Sequence, residues 1–505
     1  MSARDPIKVY DARWENGEFD SKEVYRLFEA ALIYGRSLGA KNVTITRDAR
    51  LGAATVMELA MKAALDGGFR TFACVDPVST PQSYYLAHRT TERYGATMGL
   101  SVTASHNPGR DIGAKFTVPA VRAVGLDCGP EGGLSRVRQI YHGSERLSPS
   151  RVGTLQVVDV TAEYVDYSLR VADVADGELS GMRVVLDAMN GAAGGEIYQA
   201  LDRAGAVVQP MHLLPDGNFP RGAPNPTSQG KMDDAVAAAA RFVPPGEASS
   251  PIVVGLDGDG DRLVFGDSRG ILSAGFSAVA ILCGERFTVT DGGSVPVLFD
   301  PKVNPVSLEM WGRFPVAPVL FRNGHSQIKE YMHQIGASFA AEESGHYYHR
   351  LDLGGLQINA ENSIVTALRF LGAVKSNETL LDEMWAGESR IYSTGELNYR
   401  LESDEAVDAA MIALVAEYRA DGATSTSATV DGIELGGTQV NRGVDLTPGR
   451  VGLHRGWYSG YLRASTNERA VIRAFFTSGE ETVGRAVSMR AVETLEKRFG
   501  ATRIE

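Results

Sequence analysis

Residues 41–75 read "KNVTITRDARLGAATVMELAMKAALDGGFRTFACV", and this stretch indicates the fold class. Its first six residues alternate polar and apolar side chains, as a short strand does. Residues 53–69 then carry apolar side chains at helical spacing and end near a glycine pair, which is a typical helix stop. Residues 71–75 follow as a second apolar strand. A strand, a helix and a strand in this order predict an open sheet covered by helices.

The same alternation returns twice further along the chain. Residues 181–195 read as a strand that runs into a glycine-rich turn and a helix, and residues 250–267 read as two strands around an acidic loop. A third unit begins near Ser273, with a strand over 295–300 and a helix around 326–336. The pattern therefore predicts three successive α/β domains with mixed sheets.

The C-terminal part has a different pattern. A helix near 404–420 precedes short strand-like segments such as 469–476. A final amphipathic helix is predicted, and its apolar stripe consists of Val483, Val487, Ala491 and Leu495. These features predict a smaller α+β domain after the three α/β domains. The predicted domains are 1–158, 159–272, 273–385 and 386–505.

Length, charge and cysteine content narrow the class of protein. The chain has 505 residues, which is too many for one hydrophobic core, and its formal net charge is -12. This acidic balance argues against a nucleic-acid partner, because phosphate backbones are bound by basic surfaces. The three cysteines are scattered, which argues against a disulfide scaffold or a structural zinc site. The N-terminal residues lack the apolar core of a signal peptide, and no apolar run is long enough to span a bilayer. We therefore expect a soluble cytoplasmic protein without a membrane partner.

The strongest local motif is the acidic loop "LDGDGDR", in which Asp257, Asp259 and Asp261 alternate with glycines. Three carboxylates this close repel one another unless a cation neutralises them, and hard oxygen ligands suit Mg²⁺ or Ca²⁺. An EF-hand loop needs glycine at its sixth position and glutamate at its twelfth, but those positions hold Arg262 and Ser268. The spacing alone leaves two interpretations, a metal site or a solvated acidic turn. Arg262 could bind an anion held at such a metal site.

Ser105 lies in the small polar stretch "SVTASHNPGR" (101–110). Such residues form plain turns, but the hydroxyl could also be a nucleophile. Acyl transfer is disfavoured because no G-x-S-x-G elbow is present, and "GRDIGAK" (109–115) lacks the spacing of a nucleotide-binding P-loop. A serine in a turn with Lys115 ten residues further on suits a phosphorylated hydroxyl whose charge a metal and a lysine share.

Two more stretches place polar side chains in tight turns. The stretch "AAEESGHYYHR" (340–350) offers Glu342, Ser344 and His346, which could bind paired sugar hydroxyls or form an exposed loop. The stretch "LRASTNERAVIR" (462–473) could form a phosphate cradle or a polar hairpin turn. Its polar residues are Arg463, Ser465, Thr466, Asn467 and Arg473.

Taken together and in this order, the four stretches resemble the α-D-phosphohexomutase superfamily. "TASHNP" (103–108) and "DGDGDR" (257–262) match its phosphoserine and metal loops word for word. "EESGH" (342–346) and "RASTNE" (463–468) resemble its sugar-binding and phosphate-binding loops. Weaker matches are "VYDARW" (9–14), "TRDAR" (46–50), "FDPK" (299–302) and "GHSQIK" (324–329). The last two are most like the phosphomannomutase/phosphoglucomutase branch.

The resemblance implies four domains around a central cleft, with one signature loop from each. It also implies that an active-site phosphoserine donates its phosphoryl group to a hexose phosphate, through a hexose 1,6-bisphosphate intermediate. Matched by residue, Ser105 is the phosphoserine, and its phosphate would bind Mg²⁺ together with Asp257, Asp259 and Asp261. Lys115 and His346 would be the general acid and base, with His325 near the substrate.

The resemblance also implies the binding residues. Arg13, Arg262 and Lys302 would contact phosphate or sugar, and Glu342 and Ser344 would bind sugar hydroxyls. The non-reacting phosphate would be held by Arg463, Ser465, Thr466, Asn467 and Arg473. The expected partner is a small phosphosugar, and the expected assembly is a monomer or a homodimer.

Several departures from the family pattern affect the expected substrate. Ile112 replaces an asparagine, Glu343 stands where the mannose/glucose branch usually has methionine, and Arg469 replaces a proline. They favour a divergent mutase for another sugar or cyclitol phosphate, whereas the stretches 299–302 and 324–329 favour mannose and glucose phosphates. A phosphoglucosamine mutase, a phosphatase and a non-catalytic sugar-phosphate binder are the alternatives.

Overall fold

The computed structural model describes residues 5–148, 151–243, 250–287, 293–447, 450–465 and 468–504. The chain divides into two compact units. The first unit contains Met1–Ile271, Gly324–Gly336 and Ser344–Asn377, and the second contains Leu272–Asn323, Ala337–Glu343 and Glu378–Glu505. Within the described ranges, every helix is too short or too polar to cross a membrane.

The N-terminal part of the first unit is a mixed sheet with helices. Its strands are β1 (Ala12–Glu15), β2 (Asn42–Arg47), β3 (Arg70–Pro77), β4 (Thr97–Val102), β5 (Asp111–Val118), β6 (Arg122–Ala123) and β7 (Thr154–Val157). Its helices are α1 (Ser21–Ser37), α2 (Ala53–Asp66), α3 (Thr80–Tyr94) and α4 (Gly133–His142). The strand order is β1-β5-β4-β2-β3-β7, with β6 on β5. Strands β4, β2, β3 and β7 run parallel, whereas β1 and β5 are antiparallel to their neighbours. The prediction from residues 41–75 is confirmed, since they form β2, α2 and β3.

Local sequence explains where these elements begin and what they bury. Asp20 caps α1 in a capping box with Glu23, and Ser79 caps α3 just before Pro81. The central strands β2 and β4 are buried along nearly their whole length, including Val43 in the middle of the sheet. The threonine side chains of β2 are buried together with the apolar ones, so this strand is covered on both faces.

The following part of the first unit has a second mixed sheet. Its strands are β8 (Arg183–Asp187), β9 (Val207–Met211), β10 (Ile252–Leu256), β11 (Leu263–Asp267) and β12 (Gly270–Ile271), in the order β12-β11-β10-β8-β9. Its helices are α5 (Thr161–Ala172), α6 (Gly194–Arg203) and α7 (Asp233–Arg241). Strand β10 pairs parallel with β8 and antiparallel with β11, so the acidic loop is the connection of the β10–β11 hairpin.

Residues 272–388 contribute to both units. Their strands are β13 (Val295–Phe299), β14 (Val316–Leu320), β15 (Phe339–Ala341), β16 (Tyr347–Leu353) and β17 (Leu356–Glu361). Their helices are α8 (Ala274–Cys283), α9 (Pro305–Trp311), α10 (His325–Ile335), α11 (Ser363–Ser376) and α12 (Leu380–Glu388). In the second unit, β13 pairs in parallel with β14 on one side and β15 on the other. In the first unit, β16 and β17 form an antiparallel hairpin.

The C-terminal part of the second unit is an antiparallel sheet with two helices. Its strands are β18 (Tyr392–Arg400), β19 (Thr424–Ala428), β20 (Glu434–Thr447), β21 (Arg450–Ala464), β22 (Val471–Ser478) and β23 (Thr502–Ile504), in the order β19-β20-β21-β22-β18-β23. Its helices are α13 (Asp404–Ala420) and α14 (Glu481–Glu493). On the predicted stripe, Val487, Ala491 and Leu495 are buried and Val483 is partly buried. The α+β class predicted for this part is confirmed.

Each of the four sets of strands falls within one of the four domains predicted from the sequence. The exact boundaries between those domains stay predictions. The three cysteines are free thiols, and Cys74 is buried under α3 beside Val78 and Leu86.

Candidate active site

The acidic loop of the β10–β11 hairpin brings three carboxylates together inside the first unit. The side chains of Asp257, Asp259 and Asp261 are buried, and one oxygen from each lies within 4.8 Å of the others. Gly260 has a φ of +67°, and a Cβ there would lie 2.2 Å from that of Ala193. The loop therefore needs glycine at this position to turn its carboxylates to one side.

Ser105 lies directly against this loop. It follows β4 in a turn with a φ of 53° and is 2% exposed. Its Oγ donates a hydrogen bond of 3.0 Å to Asp257 Oδ2, and its backbone N–H donates to Thr103 Oγ1 at 2.9 Å. A Cβ on Gly258 would lie 2.7 Å from the carbonyl oxygen of Ser105, so the two loops pack backbone to backbone. The fold thus joins a hydroxyl and a carboxylate that are 152 residues apart in the sequence.

A buried arginine fixes the turn that carries Ser105. Arg50 is 1% exposed, and its Nε donates to Asp48 Oδ2 at 3.0 Å. Its two terminal nitrogens donate to the backbone carbonyls of Ser105, Asn107, Pro108 and Asp111, at 2.6 to 2.8 Å. The motif "TRDAR" resembles the family, but no role was predicted from the sequence for Asp48 or Arg50. Their place in that motif was the only sequence feature that pointed to these two residues.

Lys115 supplies the positive charge nearest to the carboxylates. Its Nζ lies 2.8 Å from Asp259 Oδ2 and 2.5 Å from Asp261 Oδ2. Burial alone lowers the pKa of Lys115, but the two carboxylates outweigh burial and raise this pKa above its ordinary value. Lys115 is therefore a permanent cation, suited to neutralising charge or donating a proton.

Two threonines also orient Asp259. Thr80 Oγ1 donates to Asp259 Oδ2 at 2.6 Å, and Thr103 Oγ1 lies 3.1 Å from the same oxygen. Thr80 also donates its backbone N–H to the carbonyl of Asp259 at 2.9 Å. Neither threonine was assigned a role from the sequence, although Thr103 begins the matched motif at 103–108, and Thr80 at a helix start carries no distinctive pattern.

The carboxylates differ in their electrostatic surroundings. Burial, together with the neighbouring Asp261 and Asp259, raises the pKa of Asp257 well above its ordinary value. Burial also opposes ionisation of Asp261, but Lys115 and His346 hold the pKa of Asp261 well below its ordinary value. Arg262 Nε lies 3.8 Å from Asp257 Oδ2, so one lysine and one arginine face the three carboxylates.

This donor set fits a hard divalent cation. Asp259 Oδ1 is buried and has no hydrogen-bond partner among the residues that the structure describes. Carboxylate oxygens are the ligands that Mg²⁺ prefers, and Mg²⁺ usually keeps positions for water or phosphate. The three aspartates would therefore hold a magnesium ion, which would neutralise charge beside Ser105.

His346, Ser344 and Arg262 lie around the same loop in the first unit. His346 Nε2 is 3.2 Å from Asp261 Oδ1, and His346 Nδ1 is 2.8 Å from Ser344 Oγ. Arg262 and His346 form a backbone bridge, and the Arg262 backbone N–H donates to Asp257 Oδ1 at 3.2 Å. The histidine predicted as acid or base therefore lies beside the predicted metal ligands.

Arg13 and His325 belong to the same unit. Arg13 pairs with Asp11 at 2.8 Å and donates to Asn107 Oδ1 at 2.7 Å, on the loop that carries Ser105. His325 begins α10 with its ring edge-on to Tyr10. Burial and the nearby Lys329 hold the pKa of His325 well below its ordinary value, so this ring is neutral at physiological pH.

In the second unit, Glu342 follows β15 and belongs to a small acidic group. Asn323 Nδ2 donates to Glu342 Oε1 at 3.3 Å and also donates to Asp300. Burial and the neighbouring Glu342 raise the pKa of Asp300 to about 6.

Glu343, which departs from the family pattern, is held by contacts with other parts of the second unit. Its backbone N–H donates to Asp300 Oδ1 at 3.2 Å, and its carboxyl group accepts the backbone N–H of Ala274 at the start of α8. Burial and the neighbouring Glu388 raise the pKa of Glu343 well above its ordinary value. The hydrogen bond from Ala274 gives this carboxyl group a partner inside the protein.

In the second unit, three cations surround the carboxylate of Glu396. We call them the cationic cluster, and they are Lys302, Arg463 and Arg473. Glu396 Oε1 lies 2.6 Å from Lys302 Nζ and 3.7 Å from Arg463 Nη2, and its Oε2 lies 2.9 Å from Arg473 Nη1. The sequence does not point to Glu396, because only the register of the paired strands places it beside the arginines. Ser465 follows β21 and donates its backbone N–H to Val471. Thr466 and Asn467 lie outside the described residues.

Comparison with known proteins identifies the class. Three domain profiles match this chain, described as phosphoglucomutase/phosphomannomutase alpha/beta/alpha domains I, II and III, over residues 5–123, 162–270 and 277–390. The chain is 29% identical over 352 residues to a phosphomannomutase of Escherichia coli, covering 68% of this chain and 73% of that protein. It is 25% identical over 458 residues to a phosphomannomutase/phosphoglucomutase of Pseudomonas putida, covering 88% and 87%.

A solved structure shows the same fold. A phosphoglucomutase/phosphomannomutase family protein of Burkholderia thailandensis matches with a TM-score of 0.76 at 22% identity, covering all of both chains. These matches confirm the α-D-phosphohexomutase superfamily that the sequence motifs resemble. Within it, the chain belongs to the phosphoglucomutase/phosphomannomutase family, and it is a phosphohexomutase, an enzyme of the phosphotransferase type.

Proposed function

We propose that the enzyme interconverts hexose 6-phosphates and hexose 1-phosphates through a phosphoserine at Ser105. The observation that carries this proposal is the contact of Ser105 Oγ with Asp257 Oδ2, 3.0 Å apart and next to two further carboxylates. A phosphate on Ser105 would be held at the point where the three aspartates converge. Phosphoryl transfer depends on such positioning and on charge neutralisation more than on covalent chemistry by the protein.

The proposed reaction has two transfers. In the first, the bond from Ser105 Oγ to phosphorus breaks, and a sugar hydroxyl that loses its proton forms the new bond to phosphorus. The hexose 1,6-bisphosphate then turns over and returns its other phosphoryl group to Ser105. When bound by Asp257, Asp259 and Asp261, Mg²⁺ would neutralise the phosphate, which carries about -1.5 to -2 charges at pH 7.

Lys115 and His346 are the proposed proton donor and acceptor. The raised pKa of Lys115 keeps this residue protonated, which suits it to stabilising the transferring phosphoryl group or protonating Ser105 Oγ. His346 lies between Asp261 and Ser344, so its ring is oriented by both neighbours. Arg13, Arg262 and His325 are proposed to contact the phosphate or sugar close to Ser105.

The cationic cluster is proposed to hold the non-reacting phosphate, together with Ser465, Thr466 and Asn467. The Nε atoms of Arg463 and Arg473 are buried and have no acceptor among the described residues, so these donors remain for a ligand. Guanidinium groups bind phosphate in bidentate geometry, which suits a site that must hold either end of the intermediate.

Intact-mass analysis tests the phosphoserine. We expect the enzyme, after incubation with glucose 1,6-bisphosphate, to gain the mass of one phosphate on Ser105. Ser105→Ala should lose this modification and lower mutase activity by orders of magnitude while the fold is retained, because the hydroxyl lies in a turn. Ser101→Ala, four residues away on β4, is the matched control and should still be phosphorylated. Wild-type turnover by Ser105→Ala would refute the proposal, and steady release of inorganic phosphate would indicate a phosphatase.

Mannose and glucose phosphates are the proposed substrates. Glu342 and Ser344 are proposed to bind the sugar's 3- and 4-hydroxyls, and mannose and glucose differ only at C2. Glu342→Ala should therefore lower kcat/KM about tenfold or more for both sugars, because it leaves hydroxyls unpaired at about 1–3 kcal/mol each. Parallel assays with mannose, glucose and glucosamine 6-phosphates measure this. A strong preference for glucosamine 6-phosphate would instead support a phosphoglucosamine mutase.

A further inference from the structure

Three strands of the second unit bring one acidic side chain to the cationic cluster. In the antiparallel register, Arg463 on β21 is opposite Arg473 on β22, and Arg473 is opposite Asn398 on β18. Directly opposite residues share a face, and residues two apart on a strand also share it. Glu396, two residues before Asn398, therefore lies on the face that presents both arginines.

Glu396 offsets part of the positive charge of each member of the cationic cluster. It binds Lys302 and Arg473 at 2.6 and 2.9 Å and lies 3.7 Å from Arg463. Burial opposes ionisation of Glu396, but Lys302 and the two arginines hold its pKa below the ordinary value. The side chain is therefore a carboxylate throughout the neutral pH range, at 26% exposure.

A second acidic residue, Glu468, also offsets positive charge of the cationic cluster. Glu468 Oε2 lies 2.9 Å from Arg473 Nη2, so Arg473 is flanked by two carboxylates. Glu468 also contacts Arg400 Nη2 at 3.2 Å, which divides its charge between two arginines. Glu396 differs from Glu468 in contacting all three members of the cationic cluster.

We propose that Glu396 competes with the non-reacting phosphate of the substrate for Lys302, Arg463 and Arg473. This inference rests on the proposed function, in which the cationic cluster holds that phosphate. The Glu396 carboxylate occupies Lys302 Nζ and Arg473 Nη1, and it repels a second anion bound within a few ångströms at the Nε donors that it leaves open. Glu396 therefore weakens phosphate binding at the cationic cluster.

Weaker phosphate binding at the cationic cluster would favour the turnover of the intermediate. The bisphosphate intermediate must leave the cationic cluster, turn over and present its other phosphate to Ser105. A cluster that bound phosphate too tightly would lower KM but slow this exchange, since uniform tight binding does not speed a later step. Glu396 thus limits the affinity of the cluster so that the intermediate is exchanged between its two orientations.

Binding measurements on a non-reacting background test the competition. In Ser105→Ala protein, calorimetry should show glucose 6-phosphate and inorganic phosphate binding about tenfold more tightly after Glu396→Gln, because the repelling charge is gone. Glu396→Asp keeps the charge and should bind close to the parent protein. Glu481→Gln removes the same charge from an exposed ion pair with Arg485 and should leave both affinities unchanged.

Steady-state kinetics on protein with Ser105 intact supply the second readout. Glu396→Gln should lower KM for the hexose phosphate and lower kcat with it, whereas a loss of structure would raise KM. Circular dichroism and Tm measurements show whether each variant is folded. Rescue of both constants by Glu396→Asp would assign the effect to charge and not to shape.

The opposite results overturn the proposal. Unchanged or weaker binding by folded Glu396→Gln would mean that the carboxylate organises the cations without competing for them. If inorganic phosphate binds more tightly to the variant while no sugar phosphate binds or reacts, the competition stands and the proposed function fails. If sugar phosphates bind equally to both proteins, the proposed function stands and the competition fails.

Discussion

Arg50 determines the shape of the Ser105 turn through hydrogen bonds to four backbone carbonyls between Ser105 and Asp111. A lysine could not replace this pattern, because its single nitrogen has neither the fork geometry nor the five donors of a guanidinium. Phe219 lies under the guanidinium, with the ring centre 5.2 Å from Cζ. The side chain therefore acts on the reaction by placing the Ser105 backbone and not by contacting the substrate.

Removing this side chain should destabilise the protein strongly. Arg50→Ala removes the guanidinium that binds four backbone carbonyls of the turn, and breaking its buried charge pair with Asp48 costs about 3–5 kcal/mol. The free energy of unfolding, measured with urea, should fall by an amount in this range. Arg110→Ala, whose side chain is 72% exposed, is the control and should change stability little. A loss below about 1 kcal/mol for Arg50→Ala would contradict the assigned role.

For individual residues, the sequence predicted which side chains belong to the site better than it predicted which side chains they contact. Ser105, Lys115 and the three aspartates were expected together because their motifs are distinctive, and they lie within hydrogen-bond distance in the structure. Glu396 could not be expected, because its link to the cationic cluster depends on register between strands. Glu343 attracted attention as a departure, but its carboxyl group contacts the start of α8.

Among the elements, the start of α3 is joined to α6 by a buried hydrogen bond. Glu196 on α6 is 3% exposed, and its Oε1 accepts a hydrogen bond from Ser79 Oγ, which also caps α3. The next residue, Thr80, donates to Asp259. This arrangement connects the position of a predicted metal ligand to the packing of two helices. Burial raises the pKa of Glu196 to about 8.

This raised pKa predicts a pH dependence of stability. Because the pKa is about 8 in the folded protein and near 4.5 in the unfolded chain, the folded state binds more protons between these values. The free energy of unfolding should therefore decrease as pH rises from 4.5 to 8, by at most about 1.4 kcal/mol per pH unit from this group. Glu196→Gln cannot ionise and should be more stable relative to wild type at pH 8 than at pH 5.

Urea unfolding at pH 5, 6.5 and 8 measures this difference. Glu58→Gln on the exposed face of α2 is the control and should follow the wild-type curve. Parallel curves for wild type and Glu196→Gln would show that Glu196 is ionised in the folded protein across the whole range.

The elements themselves were largely predictable. Residues 41–75, the β10–β11 hairpin and α13 have strong periodicity, and each forms the predicted structure. The pairing order was not predictable, because β5 joins the parallel strands of the first sheet antiparallel to β4 and places β1 at the edge. Sequence periodicity reports which face of a strand is buried but not which neighbour it meets.

For the molecule as a whole, the net charge of -12 makes concentrated carboxylates costly. A cation at the three aspartates would relieve part of this repulsion and stabilise the folded state. A ligand that binds only the folded protein adds about 2.7 kcal/mol at a concentration of 100 times its Kd. We therefore expect Mg²⁺ to raise Tm and a chelator to lower it.

Asp259→Ala should lose both turnover and the rise in Tm with Mg²⁺, each compared with the same variant in chelator. Asp234→Asn, in an exposed ion pair with Arg221, is the control and should keep both. Full activity of the wild-type enzyme in excess chelator would contradict the proposed metal dependence. A Tm that responds to Mg²⁺ equally in wild type and Asp259→Ala would place the ion elsewhere.

The tight backbone packing beside the nucleophile restricts how this enzyme can be recombined with its relatives. A Cβ on Gly258 would strike the Ser105 carbonyl, and one on Gly191 would lie 2.7 Å from the carbonyl of Asp257. These segments come from distant parts of the chain, so a chimera with a crossover between them joins loops of different parentage. Such chimeras are viable only when the parent that supplies each of these segments has glycine at its position. In a shuffled library, the surviving clones would therefore carry glycine at both positions.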